Sequence, residues 1–103
     1  MLSVLEVVAE PNRRRILYLL LDGERSVGEI VDALQMSQPS VSKHLKVLRE
    51  AKLVTVRQHT QRRVYRLESS PLREIDEWLA PFRTSWSERL DALERHLDTM
   101  EEQ

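Results

Sequence analysis

The segment 26–50 constrains the fold most strongly, because it contains two short helical patterns separated by one tight turn. Ser26 and Glu29 have the spacing of a capping box, in which each side chain bonds to the backbone N–H of the other residue. Ser37 is a typical N-cap for the next helix, and Pro39 is tolerated in its first turn. The apolar stripe of this second helix, which we expect to face the core, consists of Val41, Leu45 and Leu48.

The rest of the chain predicts a mainly α protein with a small β-hairpin. Apolar residues at helical spacing predict a first helix over 2–9 and a second helix that begins at Pro11. Residues 53–57 and 63–67 are rich in β-branched and aromatic residues, and they flank a polar tip, so they predict a hairpin. From Pro71 onward the spacing is helical again. The predicted order is four helices, a two-stranded hairpin and a long last helix, which is the order of a winged helix-turn-helix.

We expect residues 1–103 to form a single winged-helix DNA-binding domain, since this length suffices for one hydrophobic core. Within it, we assign the helix-turn-helix to 26–50, the wing to 53–67 and a dimerisation helix to 71–100. The last assignment follows from length: about 28 helical residues extend about 42 Å, which is too far for one small core to cover.

The last helix carries an apolar stripe that predicts burial against a second copy of the chain. Its aromatic part could instead line an effector pocket, but packing is the more common role of such a stripe. Pro81 removes one backbone hydrogen bond and clashes with the preceding turn, so we expect a kink or break there. The stripe comprises Trp78, Phe82, Trp86, Leu90, Leu93 and Leu97.

Charge is distributed very unevenly along a chain whose formal net charge is −1. The block 37–67 carries eight Lys and Arg residues against Glu50 alone, and acidic residues predominate on both sides of it. Such a block is typical of a surface that contacts phosphates, although a solvated basic face without a partner would have the same composition. Three consecutive arginines, Arg13, Arg14 and Arg15, could contact phosphates or pair with the acidic last helix.

The second helix of a helix-turn-helix enters the major groove with its N-terminal end, which must therefore be polar. The predicted base-contacting residues there are Gln38, Ser40, Ser42 and Lys43. Lys46 and Arg49 lie farther along the helix and are better placed for the DNA backbone. In the wing, Arg57, Arg62 and Arg63 cluster near the tip and could reach a neighbouring groove or its phosphates. His44 borders the apolar stripe, so we favour a structural role over DNA contact.

At these residues the chain resembles a known family. The runs 10–17, 26–30 and 36–54, together with the hairpin end 64–67, are similar to the ArsR/SmtB family of bacterial repressors. The resemblance implies a homodimeric winged helix with the first and last helices at the dimer interface, which would include Leu2 and Leu5 of the first helix. It also implies operator DNA contacts by Gln38, Pro39, Ser40, Ser42 and Lys43.

The chain departs from the family pattern at three places. The family's thiolate metal site lies in the helix that here contains residues 27–32, and the chain has no cysteine, so sensing through that site is excluded. Lys52 stands where the family often has glycine, and we expect the helix before it to end differently. The wing tip contains no glycine, so we expect a longer, looser tip. One histidine, His96, lies on the last helix, which is too few for zinc, and we predict no metal and no cofactor.

These observations predict a sequence-specific DNA-binding transcriptional regulator, acting as a dimeric repressor on an imperfect inverted-repeat operator in double-stranded DNA. Two alternatives stay open: a helical dimer that serves as a protein-interaction module, and the same repressor with a small-molecule effector at the dimer interface. We expect no enzymatic activity, because phosphate-binding loops and catalytic motifs are missing. A membrane span and a signal peptide are also missing from the sequence, so we expect a cytoplasmic protein. The effector is unknown.

Overall fold

Helix caps supplied by the sequence determine where most helices of this chain begin. The structure is a computed structural model that describes residues 2–101, so Met1, Glu102 and Gln103 of the expected 1–103 domain lie outside the described residues. Its helices are α1 (Val4–Val8), α2 (Pro11–Leu21), α3 (Val27–Leu34), α4 (Gln38–Glu50) and α5 (Arg73–Glu101), with a 3₁₀ turn at Ser70–Leu72. Its strands are β1 (Arg25–Ser26), β2 (Val54–His59) and β3 (Arg62–Leu67). The predicted helices and hairpin are therefore confirmed.

The capping box predicted for α3 is present. The Glu29 amide donates to Ser26 Oγ over 3.2 Å, and the Ser26 amide donates to Glu29 Oε1 over 3.1 Å. A second capping box, which the sequence analysis missed, joins Ser3 and Glu6 at the start of α1. Both boxes satisfy backbone N–H groups that a helix start leaves without intrahelical partners.

The three consecutive arginines of α2 bind the ends of two other helices. Arg13 Nε donates to the carbonyl of Val7 over 2.6 Å, and Arg14 Nη1 donates to that of Val8 over 2.8 Å, so both bind the last turn of α1. Arg15 Nη2 donates to the carbonyl of Leu34, the last residue of α3, over 2.8 Å. Because helix ends leave carbonyls unpaired, these contacts fasten α1 and α3 to α2. This structural role was not among the alternatives that the sequence left open.

The wing belongs to a three-stranded antiparallel sheet in the order β1-β3-β2. The short strand β1 was not predicted; it pairs Arg25 with Tyr65 of β3. Strands β2 and β3 pair up to His59 and Arg62, so only two residues form the turn. The expectation of a longer, looser tip is therefore wrong: Thr60 takes the positive φ, 56°, that glycine usually supplies in such a turn.

The core lies between α2, α3, α4 and the base of the wing. The apolar stripe predicted for α4 is fully buried there, which confirms the assignment of its inward face. Burying each such side chain stabilises the fold by about 1.5–3 kcal/mol. The buried apolar residues are Val7, Ile16, Leu17, Leu20, Ile30, Val41, Leu45, Leu48, Leu53, Val54 and Tyr65.

The described residues up to Arg73 form one compact unit, and those from Glu74 onward form a second, which consists of α5. Within this second unit the helix is continuous through Pro81, so of the expected kink or break the break is absent. Arg83, which follows Pro81 by two residues, donates to the carbonyl of Asp76 over 3.0 Å and pairs with the Asp76 carboxylate over 2.8 Å, so these contacts span the proline. Seven large apolar residues of α5 are exposed, and we call them the α5 ridge: Trp78, Phe82, Trp86, Leu90, Leu93, Leu97 and Met100.

Helix α4 ends in the left-handed conformation despite the absence of glycine. Lys52 has φ 62°, and the Leu53 amide donates to the carbonyl of Leu48 over 2.9 Å, as in a Schellman motif. The expectation that lysine would force a different helix end is therefore wrong. The bond that closes the motif and the burial of Leu53 outweigh the strain at Lys52.

The strain at Lys52 predicts a stabilising substitution. Lys52→Gly removes the Cβ that disfavours the left-handed region, and we expect it to raise the free energy of unfolding by about 1 kcal/mol. Lys52→Ala is the matched control, because it removes the charge and keeps the Cβ, and it should leave stability nearly unchanged. Urea denaturation of the three proteins measures the difference, and equal midpoints for all three would contradict the prediction.

Candidate nucleic-acid interface

Helix α4 presents a polar outer face because its apolar stripe is fixed in the core. Val41, Leu45 and Leu48 are 0–1% exposed, which sets the rotation of the helix about its axis. At 100° per residue, Pro39, Ser42, Lys43 and Lys46 lie on the side of α4 opposite this stripe, and Gln38 and Ser40 belong to its first turn. Of these, Gln38, Pro39, Ser42, Lys43 and Lys46 are exposed, and Ser40 is half-buried.

The N-terminal end of α4 is ordered by a local cap. Ser37 has extended backbone angles, and its Oγ accepts a hydrogen bond from the Ser40 amide over 3.3 Å, as the sequence predicted. Pro39 occupies the first turn, where its missing N–H costs no hydrogen bond. The cap fixes the direction in which Gln38 and the following polar residues leave the protein surface.

His44 faces the N-terminus of α2. Its Nδ1 lies 3.7 Å from Glu10 Oε2, and the side chain is 14% exposed. Among the described residues this nitrogen has no hydrogen-bond partner. Glu10 itself caps α2 by accepting from the Arg13 amide over 2.9 Å. These contacts favour the structural interpretation of His44 over a role on the outer face.

Two of the three predicted DNA-contacting arginines of the wing are paired with carboxylates. Arg57 of β2 forms a double hydrogen bond with Glu24, which precedes β1. Arg62 of β3 donates to Glu29 Oε1 over 3.0 Å and to Ser26 Oγ over 2.7 Å, so it is held by the capping box of α3. The spacing of Ser26 and Glu29 predicted the capping box, but no local pattern indicated either ion pair, since both join residues 33 positions apart.

The carboxylates of these pairs are held in the charged form. Hydrogen bonding from Arg57 lowers the pKa of Glu24, and the same contact raises the pKa of Arg57. The pKa of Glu29 is lowered mainly by its hydrogen bonds with Ser26 and further by the positive charge of Arg62. Both glutamates are therefore negative at neutral pH and offset the charge of their arginines.

The remaining basic residues of the predicted interface keep their full charge. In residues 2–101, Lys43, Lys46 and Arg63 have no acidic partner within 4.0 Å. They lie on the outer face of α4 and on β3. Free cations on an exposed surface are the groups that neutralise DNA phosphates.

No group of three His, Cys, Asp or Glu side chains within residues 2–101 is placed to hold a metal ion. Nor does any described helix combine the length and apolar composition that crossing a membrane requires.

Comparison with known proteins identifies the family. Residues 10–56, which include α2, α3 and α4, match the family described as bacterial regulatory protein, arsR family. The transcriptional repressor SdpR of Bacillus subtilis is 32% identical over 80 residues, covering 78% of this chain and 89% of that protein. The chain belongs to the ArsR family. The HTH-type transcriptional regulator Rv2034 of Mycobacterium tuberculosis is 36% identical over 94 residues, covering 91% of this chain and 85% of that protein.

Solved structures agree with the family assignment. A possible transcriptional regulator for arsenical resistance has a TM-score of 0.70 and 41% sequence identity, over 90% of this chain and 94% of that chain. The resemblance inferred from sequence and the winged helix-turn-helix fold are thus confirmed. As a member of the ArsR family, the protein is a DNA-binding transcriptional regulator and not an enzyme.

Proposed function

We propose that this ArsR-family protein is a dimeric repressor that reads an imperfect inverted-repeat operator through α4. The observation that carries the proposal is the burial of Val41, Leu45 and Leu48, which leaves the polar N-terminal end of α4 exposed. In a dimer, two such helices would enter successive major grooves about 34 Å apart. Occupancy of a promoter would then block transcription.

Within the interface, we assign different roles to α4 and the wing. Gln38 has the amide that contacts adenine with two hydrogen bonds, Lys43 can reach guanine or phosphate, and Ser42 can donate or accept. Pro39 and Ser40 belong to the same surface and would contact the DNA beside these residues. Lys46 would contact the DNA backbone, and the wing arginines Arg57, Arg62 and Arg63 would contact phosphates of a neighbouring groove, which positions the protein without specifying sequence.

We propose that the second copy binds along the α5 ridge, with Leu2 and Leu5 of the α1 segment contributing. The ridge extends about 33 Å between Trp78 and Met100, and all its members are exposed, as are Leu2 and Leu5. Contiguous apolar surface of this size marks an interaction site in soluble proteins. ArsR-family regulators are typically dimers, which supports a second copy as the partner.

The functional segments follow from these roles. We assign the helix-turn-helix to residues 26–50, the wing to 53–67 and the dimerisation helix to 71–100 of one winged-helix domain spanning 1–103. The protein would act in the cytoplasm, where bacterial chromosomal DNA lies. In the alternative with a small-molecule effector at the dimer interface, the same residues of α4 and the wing would contact DNA, and the effector would change the affinity.

The different roles on α4 predict different effects of two substitutions. Gln38→Ala should relax base preference by about 1–3 kcal/mol, whereas Lys46→Ala should weaken binding to all sequences equally and flatten its salt dependence. Fluorescence anisotropy measures both, using a duplex from upstream of the protein's own gene and a scrambled duplex across a salt series. We expect the unaltered protein to prefer the native duplex by a factor on the order of 10³.

If the Gln38→Ala protein still preferred the native duplex over the scrambled one as strongly as the unaltered protein, α4 would be oriented differently in the groove. If the unaltered protein bound neither duplex at low salt, the repressor proposal would fail and the protein-interaction module would be favoured. Reporter transcription from the bound promoter, measured with and without the protein, tests the direction of regulation.

The α5 ridge predicts an effect on assembly. Leu90→Glu places a charge in the middle of the ridge and should convert the dimer into a monomer, because an unpaired charge is costly to bury in an apolar interface. Ser87→Glu is the matched control, since it adds the same charge to an exposed position of α5 outside the ridge. Sedimentation velocity at equal concentrations distinguishes the two; a dimer that survives Leu90→Glu would contradict the proposed interface.

A further inference from the structure

We propose that Glu29 and Glu24 act as internal competitors of DNA: they hold Arg62 and Arg57 in ion pairs that phosphates must displace, and so limit DNA affinity. The two pairs together are called the wing latch. The proposal rests on the proposed DNA-binding function of the wing, and it adds an autoinhibitory contact within the fold.

Sheet pairing brings the acidic residues to the wing. Strand β1 pairs with β3 so that Ser26 lies opposite Val64. The residues that flank β1 therefore lie beside the wing. Glu24 precedes the strand in the chain, and Glu29 follows it. Each reaches a different wing strand, Arg57 on β2 and Arg62 on β3.

The latch neutralises charge at the place where phosphates would bind. A phosphate that approached Arg62 would also meet the Glu29 carboxylate, whose Oε1 lies 3.0 Å from Nη2 of the same guanidinium. The phosphate and the carboxylate are both negative and would repel each other, and Nη2 already donates to both Glu29 and Ser26. Arg63, the next residue, has no such partner among the described residues and stays free for DNA.

Exposure limits how strong the latch can be. The side chains of Arg62 and Glu29 are 59% and 51% exposed, so water and salt screen their attraction. Exposed ion pairs of this kind change an equilibrium about two- to fivefold. We therefore expect the latch to lower DNA affinity by only a small factor, and a phosphate can displace it readily.

The substitution Glu29→Gln separates the two roles of Glu29, which pairs with Arg62 and also caps α3. Glutamine serves in a capping box as well as glutamate does, because its amide oxygen accepts from the Ser26 N–H. The substitution thus removes the charge and keeps α3 capped. Asp32→Asn is the matched control: it removes one negative charge from the same helix, one turn later, at an exposed position that has no ion pair within residues 2–101.

The experiment is a double-mutant cycle on duplex binding, measured by anisotropy over a salt series. Glu29→Gln should tighten binding about two- to fivefold. The slope of log K against log[salt] should change by much less than the ~0.9 of one added phosphate contact, because the phosphate displaces the latch and reaches Arg62 in the unaltered protein as well. Asp32→Asn should leave the slope unchanged. In an Arg62→Ala background, Glu29→Gln should have no larger effect than Asp32→Asn.

The proposal is overturned if Glu29→Gln weakens binding, or if its effect is the same with and without Arg62. Circular dichroism and thermal unfolding of each variant verify that α3 and the wing are intact. If the unaltered protein binds no duplex, the proposed function fails and the latch fails with it. If the unaltered protein binds DNA but the double-mutant cycle shows no coupling between Glu29 and Arg62, only the latch is overturned.

Discussion

The burial of one face of α4 is the constraint on which the rest of this structure depends. Val41, Leu45 and Leu48 are almost fully buried, and they pack in the same core as Ile16, Ile30 and Leu53 from three other segments. A single stripe therefore performs two tasks: it contributes several kcal/mol of hydrophobic stabilisation, and it fixes which residues of α4 face solvent. The proposed recognition of DNA by the outer face follows from packing on the inner face.

Short helices around this core are held by polar contacts at their ends. Helix α1 has five residues and α3 has eight, both below the length at which an isolated helix is stable in water. Arg13, Arg14 and Arg15 bind the last carbonyls of these helices, and capping boxes bind their first amides. A run of three arginines, for which the sequence left phosphate contact and pairing with the last helix open, is thus part of the scaffold.

What the sequence could and could not predict follows from the distance along the chain over which each contact acts. Local patterns were sufficient for the Ser26–Glu29 capping box, the Ser37 cap and the buried stripe of α4, because each involves residues three or four apart. Other contacts join residues more than 30 positions apart, namely the pairing of β1 with β3 and the Arg62–Glu29 ion pair. No periodic pattern in the sequence predicts such contacts. Lys52 and Thr60 adopt positive φ angles against their intrinsic preference, since the packing of Leu53 and the pairing of the wing strands override it.

In the proposed function the outer face of α4 and the wing contact DNA, and nuclear magnetic resonance tests this proposal most directly. Backbone amide shifts of the ¹⁵N-labelled protein would be followed as a mixed-sequence duplex is added at low salt. The account predicts that the largest shifts fall on residues 37–46 and 57–63, while the exposed residues Tyr18 and Leu21 of α2 do not respond. Shifts concentrated on α2 or α5, with α4 unaffected, would contradict it.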